Sequence, residues 1–270
     1  MGNRLQNVAA SNEEIAARGS YQAPSGAEVE IAAALAAARA GTVSYGPEEE
    51  YPAGAGPYGG RIEVTAEGSM TAARRLVEAG GRHVGVLNFA SARNPGGGYL
   101  RGSKAQEEDL CRSALLYHCL LAAPDYYEAH RASTDLRYSH RVIFSPAVPV
   151  IRDDHRELLE RPYPVSFLTS PAPNAGQLAL RSEGRPVDVR AELVERAGRV
   201  LAVAERHGVR ELVLGAWGCG VFGNDPAEVA EAFAQALGSH GAAFDTVVFA
   251  VWDRSPVSPN RAAFEARFGS

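Results

Sequence analysis

From residue 61 onward, short apolar runs alternate with longer stretches in which apolar residues return every three or four positions. The runs RIEVT (61–65), HVGVLNF (83–89), RVIFS (141–145), PVSFLT (164–169), ELVLGAW (211–217) and TVVFAVW (246–252) are rich in Val, Ile and Phe, which predicts buried strands. The stretches 69–80, 104–121, 187–208 and 226–238 carry the helical period. Strands that alternate with helices predict an α/β fold, a mixed sheet of about six strands sandwiched between helices. Residues 1–60 predict a helical extension packed on that domain. SNEEIAARG (11–19) and AEVEIAAALAAARAG (27–41) are Ala-rich, the second ends at Gly41, and PAGAGPYGG (52–60) is a turn-rich connector. There is no internal repeat and no low-complexity linker. The expected organisation is therefore one globular unit, with an extension at 1–60 and the main α/β domain at 61–270.

Composition narrows the picture in a few places. A chain of 270 residues that is 46% hydrophobic and 22% charged has material for a sizeable core. No apolar run approaches the ~18–20 residues needed to span a membrane, and the start MGNRLQNVAA lacks the apolar stretch of a secretory leader. Cys111, Cys119 and Cys219 form neither a disulfide framework nor a metal-ligand spacing, and a reducing, cytoplasmic setting is expected. The histidines are scattered with no H-E-x-x-H pattern, so no metal is expected. The formal net charge is −5 and there is no Lys/Arg run. A polyanion would then be held locally, by backbone N–H groups and helix starts, which disfavours a general nucleic-acid groove.

Two segments carry candidate chemistry. In NFASARNPGGGYLRGSKAQEED, Gly96, Gly97 and Gly98 are separated from Gln106-Glu107-Glu108 by residues 99–105. Glycines let a backbone approach a ligand closely. Ser103-x-x-Gln106 has the form of a capping box, which predicts a helix start at Lys104 with both glutamates in its first turn. Acidic residues gather at helix starts for electrostatic reasons alone, so the pair gains meaning only beside the glycines. In ELVLGAWGCGVFGNDPAEVAEAF a strand, a glycine-rich loop and a helix follow in order, with Asn224 or Asp225 as cap and Pro226 at the first helical position. An anion fits over the N–H groups of such a loop. The alternative is a plain connection with Phe222 packed inward.

The segments NPGGG…QEE (94–108) and GCGVFG (218–223), with the less diagnostic VSFLTSPAPNAG (165–176) and FAVWDRS (249–255), resemble the microbial poly(ADP-ribose) glycohydrolases, which are macrodomain proteins. A GGG followed after a short spacer by QEE is the specific part; ordinary macrodomains share the glycine loops without it. The resemblance implies a macrodomain-like sheet and places roles by position. Glu108 matches the catalytic acid, and Glu107 matches a carboxylate that hydrogen-bonds the ribose, beside Gln106. Gly96, Gly97 and Gly98, and the loop Gly218, Gly220, Val221, Phe222 and Gly223, match two diphosphate-binding loops, with Phe222 positioning the terminal ribose. Asn94 matches an asparagine that contacts the same ribose, with Asn88 and Ser91 as alternatives, and Glu67 stands where macrodomains place an adenine-reading carboxylate.

The implied substrate is poly(ADP-ribose), cleaved at its ribose–ribose bonds with release of ADP-ribose from chain ends. ADP-ribosylated proteins are the implied partners, and neither cofactor nor membrane is involved. Such a bond needs a proton for the leaving oxygen and a water for the anomeric carbon. A helix start favours charged carboxylates, whereas the general acid Glu108 must hold a proton, so repulsion from Glu107, with desolvation and substrate phosphate charge once the site closes, has to oppose the dipole, chiefly in the substrate complex. A reader that binds ADP-ribose without hydrolysing it, and a mono-ADP-ribosyl hydrolase acting on another linkage, are the alternatives.

Overall fold

A computed structural model describes residues 2–269; Met1 and Ser270, the outer ends of the two expected ranges, lie outside the described residues. The chain runs through α1 (Gly2–Arg18), β1 (Ser20–Gln22), β2 (Glu28–Glu30), α2 (Ala32–Ala40) and β3 (Val43–Tyr45) before the connector. After it come β4 (Arg61–Thr65), α3 (Ser69–Glu78), β5 (Val84–Phe89), α4 (Gln106–Ser113), α5 (Leu116–Leu120) and α6 (Pro124–Ala132). Next are β6 (Val142–Arg152), β7 (Leu158–Ser170), α7 (Ala175–Arg181), α8 (Arg190–Arg206), β8 (Glu211–Leu214), α9 (Pro226–His240), β9 (Thr246–Ala250) and α10 (Pro259–Phe268).

The main sheet has seven strands in the order β3-β6-β7-β5-β8-β9-β4. The pairs from β7 through β5, β8 and β9 to β4 are parallel, while β6 lies antiparallel to β7 and β3 antiparallel to β6. Six of these strands follow from the apolar runs. The seventh, β3, comes from the expected extension and closes one edge. The period of two assigns the two faces. Leu87, Phe144, Leu168, Leu214 and Val247 pack with α8, α9 and α10, while their neighbours Val86, Ile143, Phe167, Val213 and Val248 pack with α3, α4, α5 and α6. Both faces are covered, which is why the strands read as continuous apolar runs rather than as alternating ones.

Several elements differ from expectation, each for a local reason. The runs at 141–145 and 164–169 are the inner ends of a long hairpin, β6 with β7, that carries register shifts between Ser145 and Val148 and between Val150 and Arg152. Pro146, Pro149 and Pro164 lie inside it, and proline normally marks the end of a strand or a bulge. The segment 104–121 is not one helix. Ala114 adopts extended backbone and bridges Val150 of β6, so tertiary pairing overrides a helix-favouring sequence between α4 and α5. The amino-terminal part of 27–41 is the short strand β2, paired with β1.

The extension is tied into the helix that carries the acidic pair. Asn12 of α1 is fully buried; its amide donates to the carbonyls of Cys111 (3.3 Å) and Arg112 (2.9 Å) at the end of α4. Its oxygen accepts from Arg152 of β6 at 2.7 Å. Leu115 and Ile151 join Ile15, Tyr21, Ile31 and Leu35 in one small core. Asn12→Ala leaves a buried guanidinium and two carbonyls short of partners. It is expected to lower unfolding stability by ~2–3 kcal/mol, read by urea denaturation; an unchanged midpoint would contradict this role of α1.

Candidate active site

The carboxyl ends of β4, β9, β8, β5 and β7 emerge on one side of the sheet, the side where ligands bind in such folds. The loop after β5 leads to α4. That helix starts at Gln106, with Ala105 extended before it and no side-chain cap, so the capping box expected at Ser103 does not form. Ser103 instead closes a tight turn on Gly98, whose carbonyl accepts its N–H at 3.1 Å. A different clip positions the helix. The Gln106 side chain accepts from the Phe89 N–H (2.9 Å) and donates to the Leu87 carbonyl (2.7 Å) and the Ser69 hydroxyl (3.2 Å). Gln106 is expected among the substrate-binding groups; in the structure its amide ties the first residue of α4 to the end of β5.

The next two residues are thereby fixed. Glu107 and Glu108 are buried, 3% and 7% exposed. One oxygen of Glu107 accepts from the Ser91 N–H at 2.7 Å, and the other accepts from the Asn88 amide at 3.3 Å. Asn88 also donates to the Thr169 hydroxyl at 3.1 Å. Oε1 of Glu108 accepts from the Gly98 N–H at 2.8 Å. Oε2 of Glu108 is buried and has no hydrogen-bond partner among the described residues. The two carboxylates converge over Gly97: a Cβ built there would lie 2.5 Å from Oε1 of Glu108 and 3.1 Å from Oε2 of Glu107.

Burial pushes the Glu107 carboxyl up to about 8, against the opposing pull of the Ser91 and Asn88 hydrogen bonds and with a smaller upward push from Glu108. Burial thus favours the neutral acid form of Glu107. The shift also has a stability consequence. From the ordinary value of 4.5 up to about 8, ionisation is favoured in the unfolded chain and resisted in the folded one. The stabilising effect is thus complete below 4.5 and is lost as pH rises through 8. Glu107→Gln should remove this component, raising Tm at pH 9 by ~5 °C and making little difference at pH 5. Parallel Tm-against-pH curves for the two proteins would contradict it.

The two glycine loops do different work. At Gly96 (φ 63°) and Gly97 (φ 58°) the backbone is left-handed, which glycine tolerates. Their N–H groups turn inward: Gly97 donates to the Asn94 carbonyl (2.9 Å), Gly98 to Glu108, and Gly96 stabilises Glu107. In the structure, two of the three N–H groups of the expected diphosphate loop face the acidic pair. In the loop 218–223, by contrast, the N–H groups of Gly220, Val221 and Phe222 have no partner among the described residues. Val221 is 90% exposed, and a Cβ at Gly220 would meet open space. The loop is nonetheless anchored. The Asn224 amide donates to the carbonyls of Pro173 (2.8 Å) and Gly218 (3.1 Å), and Gly176 N–H donates to the Phe222 carbonyl (2.9 Å). At Gly218 (φ 72°) a Cβ would strike Ala172 and Asn224, both at 2.4 Å. Asp225, rather than Asn224, caps α9. Gly223 (φ 66°) turns the chain toward that cap.

The remaining expected residues are spread around this centre. Phe222 is half-buried, its ring 6.0 Å from that of Tyr138. Asn94 is exposed; its N–H donates to the Ser91 hydroxyl. Glu67, in the turn after β4, is held by Arg75 at 2.6 Å, which also bridges Glu63. Asn88 is the buried one of the three ribose-contact candidates. Thr169, Ser69 and Tyr138, which share in the site's framework, stand in ordinary strand, helix-start and loop sequence that carries no signal. Among the described residues no cluster of His, Cys, Asp and Glu is placed to hold a metal ion, and no helix is long and apolar enough to cross a membrane.

Comparison with known proteins shows the family. Residues 9–153 match the microbial-type PARG catalytic domain. The structure is similar to that of poly(ADP-ribose) glycohydrolase from Thermomonospora curvata, with 49% identity and a TM-score of 0.90 over 98% of this chain and 100% of that one. The same enzyme bound to the inhibitor ADP-HPD gives 50% identity and a TM-score of 0.87, again over 98% and 100% of the chains. Poly(ADP-ribose) glycohydrolase from Deinococcus radiodurans in complex with ADP-ribose gives 44% identity and a TM-score of 0.77 over 87% of this chain and 96% of that one. Among curated proteins nothing matches. The chain belongs to the microbial-type poly(ADP-ribose) glycohydrolase family.

Proposed function

We infer that the protein hydrolyses the ribose–ribose O-glycosidic bonds of poly(ADP-ribose), with Glu108 as general acid and base, and releases ADP-ribose from chain ends. The observation that carries the catalytic assignment is the one unpartnered oxygen of the acidic pair. Three of its four carboxylate oxygens are held by Ser91, Asn88 and Gly98, and only Oε2 of Glu108 is left to meet a substrate atom. A buried acceptor without a partner is costly, which gives it reason to serve a ligand.

In the reaction, Glu108 passes its proton to the departing ribose oxygen as the bond to the anomeric carbon breaks. A water then attacks that carbon and returns a proton to Glu108. Glu107 orients the ribose hydroxyls from its fixed position. The free N–H groups of 220–222 take the diphosphate, and Phe222 presses the ribose into place. No cofactor enters this scheme. ADP-ribosylated proteins are the macromolecular partners that follow from the substrate, and the cytoplasm is the setting proposed for it.

Early-time digestion of long poly(ADP-ribose), resolved by chain length on a gel, tests the reading. Free ADP-ribose should accumulate while the remaining chains shorten gradually. Early appearance of mid-length fragments would overturn the chain-end part. An unaltered polymer that nonetheless binds would favour the reader instead.

A further inference from the structure

One rim of the site carries positive charge that the catalytic scheme does not use. Arg93 lies two residues after Ser91, the donor to Glu107, hence within ~7 Å of it along the chain. Its guanidinium donates to the Ser133 carbonyl at 3.0 Å, and its own carbonyl accepts from Arg131 at 2.9 Å. Arg181 of α7 donates to the adjacent Thr134 carbonyl at 3.0 Å. Three guanidiniums thus gather where the Arg93 peptide meets the consecutive carbonyls of Ser133 and Thr134, and Arg131 and Arg181 are exposed. None of the three has a carboxylate within ion-pair distance among the described residues.

The other charges nearby are accounted for. Arg137 is paired with Glu192 and lies 4.0 Å from Asp135, Arg141 meets Asp125, and Arg185 meets Glu183. Glu128, one turn before Arg131 on α6, is exposed and makes no ion pair among the described residues. The cluster is therefore a local surplus of positive charge on a chain whose net charge is −5. It also borders the site. The segment 133–138 reaches from Arg93, on the loop of the acidic pair, to Tyr138, against Phe222.

We propose that Arg93, Arg131 and Arg181 form a second anion site, which takes the pyrophosphate of the ADP-ribose unit adjoining the scissile bond. This rests on the poly(ADP-ribose) reading and deepens it. The group that leaves at Glu108 is a ribose whose own pyrophosphate lies one sugar away, still joined to the rest of the polymer. Guanidiniums that use one or two N–H groups on carbonyls keep others for phosphate oxygens. Such a site grips the polymer without touching the terminal unit. A mono-ADP-ribosylated side chain has no adjoining pyrophosphate and gains nothing from it.

The test uses the double variant Arg131→Gln/Arg181→Gln, which leaves Arg93 and its buried Nε in place. KM for long poly(ADP-ribose) at low salt is expected to rise by ~5- to 10-fold, with kcat unchanged. The slope of log KM against log salt should fall by ~1, as lost phosphate contacts require. Affinity for free ADP-ribose, measured by calorimetry, should not change. The charge-reversing variant Arg131→Glu/Arg181→Glu should raise KM further. Unchanged polymer KM and salt slope in both variants would overturn the second site, and so would an equal loss of ADP-ribose affinity. A wild type that binds ADP-ribose but neither binds nor cleaves the polymer would overturn the functional reading itself, and the inference with it.

Discussion

Glu108→Gln is expected to lower kcat on poly(ADP-ribose) by ~10³-fold, within the usual range for a removed general acid and base, while ADP-ribose still binds. The amide is close to the carboxylate in size, so packing in the buried pocket is kept. An amide cannot pass a proton to the departing oxygen. Oε1 of Glu108 holds the Gly98 N–H at 2.8 Å, and an amide oxygen in its place retains that bond. The loss should therefore fall on kcat and leave the ADP-ribose Kd within about threefold. Hydrolysis by the variant at near wild-type rate would show that Glu108 is not the proton donor. A large loss of ADP-ribose affinity would mean that it acts chiefly in binding.

The second large effect is expected at a residue with no side chain. Gly97→Ala puts a methyl group 2.5 Å from Oε1 of Glu108 and 3.1 Å from Oε2 of Glu107, at a backbone φ of 58°. The left-handed conformation alone costs an alanine ~1 kcal/mol. The carboxylates have little room to yield, since Glu107 is held by Ser91 and Asn88 and Glu108 by Gly98. A displacement of about 1 Å at reacting groups can cost ~10²-fold in rate. We therefore expect kcat/KM to fall by at least ~10²-fold, with a drop in Tm of only a few degrees. A variant with wild-type activity would show that the acidic pair is not closely constrained by this loop. Global unfolding would show that the loop is chiefly a folding element.

These two residues illustrate what sequence can carry. Glu108 and Gly97 are both legible as parts of one motif, because glycine runs and acidic pairs are unusual neighbours at a helix start. How they meet is not. The glycine run is expected to bind phosphate, yet the Gly98 N–H holds Glu108, the Gly96 N–H favours ionised Glu107 and the Gly97 N–H turns to the Asn94 carbonyl. Sequence records that a backbone can come close, but not which atom it approaches. At Glu107 burial, a tertiary quantity, outweighs its hydrogen bonds and favours the neutral form. The Gln106 clip depends on the reach of β5, and the break at Ala114 depends on Val150, far along the chain in a strand that proline obscures. Buried strands rich in Val, Ile and Phe are legible because local composition and burial agree there. The edge strand β3 is not, because three residues paired with β6 at one edge leave no periodic signature.

Whether this chain is a polymer hydrolase is decided by incubating the wild-type enzyme with poly(ADP-ribose) and, separately, with a mono-ADP-ribosylated protein, and measuring the ADP-ribose released from each. A polymer hydrolase frees ADP-ribose from the polymer and leaves the single unit attached to the protein. Release from the protein alone, or from neither substrate, would contradict that assignment.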